Sequence, residues 1–281
     1  KGIRTSPRDA LLSDSIEPAN LGRAFGLHRT MDQAGAIIGP LIAFALLYYF
    51  EVRDIFWFSL IPGAIALFIL ARHVKERKII PKNQSVFSNF KEVLHGKFLV
   101  FLLIMTVFSI GAYNFSFILV QSSEIGLEKN FVPLVYMVIN ITHTLVGLPS
   151  GMLADKIGSE KVILVSFALF LLTCIIGFFE TEFILVGFVM AGIFGLYHGM
   201  TITSQRTMVS RYVSENLRGT AFGVYYLFVG ISFLVANLTF GLLWDTFGSQ
   251  IAFGYSVATT MTAFIMLSIF VIKNKQTINQ K

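Results

Sequence analysis

Three ionisable side chains, Asp32, His143 and His198, fall inside long apolar stretches of this sequence. Such groups are costly in hydrocarbon unless they face protein or water, so at membrane depth they mark paths for ions or solutes. A carboxyl one turn inside an apolar run, as Asp32 is, can serve as a proton carrier. The plainer reading is a carboxylate paired with His28 or Arg29, four and three positions earlier on one helical face. His143 and His198 can titrate near neutral pH and couple a solute to protons, or can sit neutral in a packed interface. Asp155 lies in the segment GMLADKIGSEK, residues 151–161. A turn of Gly151, Asp155 and Gly158 lets two helix ends approach, and the carboxylate can bond backbone amides at a neighbouring helix N-terminus. The expected partner is the start of the span near Gly219, with Arg206 as a second candidate. There is no G-x-x-x-x-G-K-[ST], H-E-x-x-H or G-x-S-x-G, and Cys174 stands alone mid-span, where a packed apolar thiol is expected. The expectation is a protein that is not an enzyme and takes no metal or cofactor.

The elements that must position these residues are helices in lipid. The chain is 55% hydrophobic and 14% charged, too few charges to coat a soluble globule. Apolar runs near the ~20 residues that span a bilayer core occur at 31–50, 55–71, 98–120, 131–153, 162–179, 183–203, 220–243 and 250–272. Period-two alternation is absent, which argues against an outer-membrane barrel. Eight spans put residues 1–30, 72–97, 154–161, 204–218 and 273–281 on one side, with 20 of the 22 Lys and Arg; Arg53 and Lys129 alone lie on the other. This asymmetry places both termini in the cytoplasm. The net charge of +6 is thereby topological: it fits anionic lipid headgroups and no nucleic acid.

An offset of 197 residues relates the first span to the seventh. Ala24-Phe25-Gly26 recurs as Ala221-Phe222-Gly223, and Leu46, Phe50, Phe56 and Ser59 match Leu243, Phe247, Phe253 and Ser256. Asn20-Leu21 aligns with Asn216-Leu217 after a one-residue shift. A period of six helices follows.

On these residues the chain resembles the major facilitator superfamily of secondary transporters. Gly151, Leu153, Ala154, Asp155, Lys156, Gly158 and Lys161 fit its signature turn, with Ser159 and Glu160 in place of two basic residues; KGIRTSPRDAL resembles the segment after its fourth helix. The resemblance implies an all-α polytopic bundle with eight of twelve transmembrane helices in this chain. Its parts would be 1–72, the remnant of an N-terminal half; 73–97, a basic cytoplasmic linker; 98–272, a six-helix half; and 273–281, a tail. It also implies a gating role for the 151–161 turn and a cavity lined by Tyr113, Asn114, Tyr197 and His198, with Asn237 a further candidate; proton coupling is expected of Asp32 and His198 from their own chemistry. Gly35-x-x-x-Gly39-Pro40 in the first span fits close helix packing by small residues and, in that family, antiport.

The expected function is alternating-access transport of a small organic solute, in a plasma membrane, by proton-coupled efflux. A scaffold without transport and a membrane-embedded lipid enzyme are the alternatives. Oligomeric state is open.

Overall fold

A computed structural model describes residues 2–46, 50, 52–73, 86–128, 131–179 and 183–279. Residues 1, 47–49 of the first expected span, 74–85 of the expected linker, 51, 129–130 and all of 180–182 in the predicted connections, and the last two residues lie outside them. No strand occurs among the described residues. The chain runs α1 (Gly2–Asp14), α2 (Leu21–Leu46), α3 (Val52–His73), α4 (Val86–Val93), α5 (Gly96–Gly111), α6 (Ser116–Glu124), α7 (Val132–Ile157), α8 (Ser159–Phe178), α9 (Leu185–Tyr212), α10 (Arg218–Phe247) and α11 (Ser249–Asn279).

Six stretches among the described residues are long and apolar enough to cross a membrane: Gly96–Glu124, Leu134–Ile157, Ser159–Phe178, Leu185–Tyr212, Glu215–Phe247 and Ser249–Asn274. They coincide with the last six predicted spans. The first two are also helices, α2 and α3, but α2 starts ten residues before its apolar run and carries Arg23, His28, Arg29 and Asp32 along its opening turns. Most described side chains of α3 are exposed, including Trp57, Leu60, Ile61 and Phe68.

The predicted third span is two helices, broken at residues 112–115. Ala112 is extended, and a side chain at Gly111 would collide with Thr259 of α11. Freed backbone groups at membrane depth need partners inside the protein. Tyr255 and Ser256 hydroxyls donate to the carbonyls of Ile110 and Gly111, both at 2.7 Å. The Asn114 N–H donates to Asn237 Oδ1 at 2.9 Å, and Asn114 Oδ1 accepts the Ser116 N–H at 3.0 Å.

The turns joining α7 to α8 and α10 to α11 are single glycines, Gly158 (φ 96°) and Gly248 (φ 88°), in backbone conformations that side chains resist. The interior between the helices is aromatic. Phe108 stacks on Phe167 at 4.0 Å, and Tyr113 packs against Phe170, Phe194, Phe240 and Phe253. Cys174 is fully buried there, as expected of a packed thiol.

The 197-residue repeat is structural. The short 3-10 turns Pro18–Asn20 and Glu215–Leu217 stand at that offset, as do the first residues of α2 and α10. The one-residue shift expected upstream is therefore unnecessary. Phe25 and its repeat-mate Phe222 meet edge to face at 6.3 Å. α1, in the segment expected only to be polar and cytoplasmic, packs against α9 and α10 with Asp9 and Ser13 fully buried.

Candidate functional site

The α2–α7 contact is made of glycines. A Cβ on Gly22 would stand 2.5 Å from the Gly151 carbonyl, one on Gly26 2.6 Å from the Gly147 carbonyl, and one on Gly147 2.6 Å from Thr30 Oγ1. Two Gly-x-x-x-Gly ladders, 22–26 and 147–151, thus bring the backbones of α2 and α7 together. A third, Gly195 and Gly199, lets α9 approach α7 at His143: a Cβ on Gly199 would stand 2.8 Å from the His143 carbonyl. Gly35 has nothing within 4 Å of its Cβ position among the described residues, and the side chain of Pro40 lies outside the description, as does packing at Gly39.

This packing positions a string of charges across three helices. Asp32 Oδ2 accepts from Arg29 Nη1 at 2.9 Å, Arg29 Nε donates to His143 Nε2 at 3.0 Å, and His143 Nδ1 stands 3.3 Å from His198 Nδ1. All three ionisable residues picked out in the sequence belong to one network, and Arg29, read there only as a partner of Asp32, joins them. Asp32 is paired with Arg29, one of the two partners expected for it, and its side chain is half exposed. His143 is buried, while His198 is partly exposed and stacks on Phe194.

Aromatic residues adjoin this string. Tyr197 packs against Phe108, Phe170 and Phe194, next to His198. Tyr113 and Tyr197 are buried in this conformation, whereas Asn114, His198 and Asn237 are partly open. Asn114 and Asn237 also satisfy the break between α5 and α6 described above.

At the end of the bundle that carries the 151–161 turn, acids and arginines lock the first 46 residues to the rest. Asp155 accepts the backbone N–H groups of Gly22 (2.9 Å) and Arg23 (2.7 Å) and pairs with Arg211 at 3.0 Å. The expected chemistry, a carboxylate at a helix N-terminus, is present; the helix is α2 rather than the one beginning near Gly219. The reason is the glycine ladder, which seats α2 directly beside the turn. Lys156 and Lys161 are exposed. Arg206, the expected second partner, is engaged elsewhere. Its Nε contacts the fully buried Asp9 at 3.2 Å and donates to Tyr226 Oη at 3.1 Å, and the Tyr226 hydroxyl donates to Asp9 at 2.5 Å. Arg218 pairs with Asp14 at 2.6 Å and donates to the Ser13 and Ser210 carbonyls. The Asp9 cluster was missed in the sequence; the 197-residue offset, which makes Asp9 and Arg206 repeat-mates, could have found it.

Comparison with known proteins follows this architecture. The family model described as Major Facilitator Superfamily matches twice, over residues 2–141 and 99–281. An uncharacterized MFS-type transporter of Methanocaldococcus jannaschii is 29% identical over 279 residues, covering 96% of this chain and 69% of that protein. An uncharacterized protein of Mycobacterium tuberculosis is 25% identical over 260 residues, 87% of this chain and 62% of its own length. The chain thus spans less than two thirds of the mycobacterial relative. Among solved structures, the human organic anion transporter TETRAN superposes with a TM-score of 0.74 at 15% identity, covering 93% of this chain and 67% of that one. A bacterial homologue of the iron transporter ferroportin, in an outward-facing state, gives 0.72 at 16% identity, covering 95% and 69%.

Proposed function

The chain belongs to the major facilitator superfamily, a family of membrane transporters, and we propose that it is the larger part of a proton-coupled secondary transporter that exports a small organic solute by alternating access. The observation that carries the proposal is the unbroken string Asp32–Arg29–His143–His198, which joins α2 to α7 and α9 across the contact between the 1–72 part and the six-helix half. A proton-coupled carrier needs a titratable group whose charge state is felt where the two halves meet. Asp32 and His198 stand at the two ends of such a link. The solute would sit near the midplane beside His198, Asn114 and Asn237, with Tyr113 and Tyr197 supporting the wall, and the halves would rock about it. Any packing role for Gly35, Gly39 and Pro40, and the antiport it would imply, is proposed only against partners beyond the described residues, since Gly35 has nothing within 4 Å among them.

A transition-metal cargo at the histidine pair is disfavoured by the same geometry. An imidazole that ligates through Nδ1 carries its proton on Nε2 and offers it to an acceptor, but Arg29 presents a donor to that nitrogen of His143. An organic solute meets no such conflict. On this reading the Asp155, Asp9 and Asp14 contacts would hold closed the end bearing the 151–161 turn. By the charge asymmetry of the loops this end, with both termini, is cytoplasmic in a plasma membrane, against anionic lipid.

The test is flux in proteoliposomes containing the native-length protein, with a fluorescent organic cation and a fluorescent carboxylate dye as probes. An imposed pH gradient is expected to drive uphill movement of one of them, and Asp32→Asn or His198→Gln to leave only downhill movement. Gradient-driven accumulation that persists in both variants would remove the string as the coupling site. A scaffold or a lipid enzyme would show no gradient-driven flux at all.

A further inference from the structure

The hydrogen bonds of the string fix its protons, an inference that rests on the proton-coupled reading above. A guanidinium only donates. Because Arg29 Nε–H points at His143 Nε2, that nitrogen is bare. Neutral His143 therefore carries its proton on Nδ1 and donates it to His198 Nδ1, which leaves the proton of His198 on its own Nε2.

We propose that Arg29 is a positioning residue that makes proton uptake by the histidine pair and detachment of α2 from α7 a single event. An added proton has two places to go. On His143 Nε2 it leaves the bond to His198 intact and puts an N–H against the Arg29 N–H. On His198 Nδ1 it meets the Nδ1–H of His143 head to head, and the pair re-bonds only when His143 holds its proton on Nε2 instead. Every arrangement that keeps the two rings bonded thus ends with a proton facing Arg29. One proton enters, none leaves, and the pair gains one positive charge beside a guanidinium. Asp32 holds Arg29 through Nη1, so the freed guanidinium stays on α2, and the bond that breaks is the one between the helices.

The charged neighbours support this confinement. On α2 they are Arg29, Asp32 and His28; on α9 they are His198 and, two turns on, Arg206. Asp155 and Lys156 lie roughly 18–20 Å of helix rise along α7 from His143, and Glu160 and Lys161 open α8 beyond the same turn. Glu124 of α6 accepts from Trp244 Nε1 of α10. Gly26, Gly147 and Gly199 crowd the backbone around the string, so the rings have little room to evade the clash by turning.

Two readouts without any solute test this. Histidine labelled with 15N in protein reconstituted in liposomes reports the tautomer, the His143 signal being assigned by its loss in His143→Gln. Spin labels at Leu27 and Leu145, exposed on α2 and α7, report the gap between the helices; the fully buried Cys174 stays in place. At high pH the expected state is the Nδ1–H tautomer of His143 with the labels close. On acidification Nε2 should gain its proton as the labels move apart, with one midpoint for both changes. In Arg29→Gln, whose side-chain amide can turn to donate or accept, His143 should titrate with no change in label distance. An Nε2–H tautomer in the wild type at high pH, or protonation of His143 with the labels unmoved, overturns the inference. Either result leaves gradient-driven flux to be judged separately. Conversely, coincident midpoints in a protein without flux would sink the transport reading alone.

Discussion

Asp155 fastens α2 to the 151–161 turn, and the size of that fastening follows from its contacts. The carboxylate accepts two backbone amides, at 2.9 and 2.7 Å, and one guanidinium nitrogen at 3.0 Å. Capping a helix N-terminus contributes ~1 kcal/mol, and an ionised acceptor raises each hydrogen bond toward ~1.5–3 kcal/mol when water is excluded. The Arg211 side chain is 26% exposed, so the ion pair itself adds only ~0–1 kcal/mol. Water reaches part of the site, and ~2–3 kcal/mol is a reasonable total for the preference of the closed over the open seam. That corresponds to a ~30- to 150-fold shift in the opening equilibrium.

Asp155→Ala should therefore populate a separated state in the distance distribution between labels at Leu27 and Leu145. Asp155→Asn keeps one acceptor oxygen but turns an NH2 toward the second amide, and should give about half the free-energy change. Arg211→Ala removes only the exposed pair and should change the distribution least. A double-mutant cycle of Asp155→Ala with Arg211→Ala isolates the ion pair. The reasoning is refuted if Arg211→Ala and Asp155→Asn each open the seam as far as Asp155→Ala does. That result would mean the ion pair, not the capped amides, holds α2.

Gly26→Leu places a side chain where the Gly147 carbonyl stands 2.6 Å away, so it should push α2 off α7 and abolish the closed distance peak. Gly35→Leu, with nothing nearby among the described residues, should leave that peak intact. Asp9→Asn strips the charge partner from the buried Arg206 and should cost ~3–5 kcal/mol, read as a large fall in thermal midpoint in detergent, whereas Tyr226→Phe should cost ~1–3 kcal/mol. Asn237→Ala leaves the Asn114 N–H without its acceptor; faster hydrogen exchange at Asn114, with the neighbouring α5 amides unchanged, is the expected sign.

Most of the fold was legible because hydropathy and loop charge report on lipid contact, which is a property of single segments. The last six spans coincide with helices of the structure to within a few residues at most ends. The break at 112–115 was not legible, since it depends on Tyr255, Ser256 and Asn237 arriving from α10 and α11 to satisfy freed backbone groups. Asp32, His143 and His198 could be picked out because ionisable residues are rare in apolar runs; their connection through Arg29 could not, because Arg29 lies before the apolar run and reads as a boundary charge. The packing glycines were visible in principle. Gly22-x-x-x-Gly26, Gly147-x-x-x-Gly151 and Gly195-x-x-x-Gly199 have the same spacing as Gly35-x-x-x-Gly39, and spacing alone does not say which pairs face each other.

The repeat explains why the halves fit. In a duplicated bundle the same segment of each copy meets its mate near the axis relating them, so any residue there faces its own equivalent. An apolar residue tolerates this: Phe25 packs on Phe222. A charged residue does not, because two like charges buried together repel with nothing to offset their desolvation. At the next such position the two copies differ in sign, Asp9 in one and Arg206 in the other, and the pair is buried with Tyr226 completing it. A seam of this kind accepts one pairing of the copies and rejects each copy with itself. On this argument, exchanging the charges as Asp9→Arg with Arg206→Asp should restore much of the stability that either single change removes. If the double exchange is no better than the worse single variant, the Tyr226 and Arg8 contacts around Asp9, rather than the complementary pair, determine the fit.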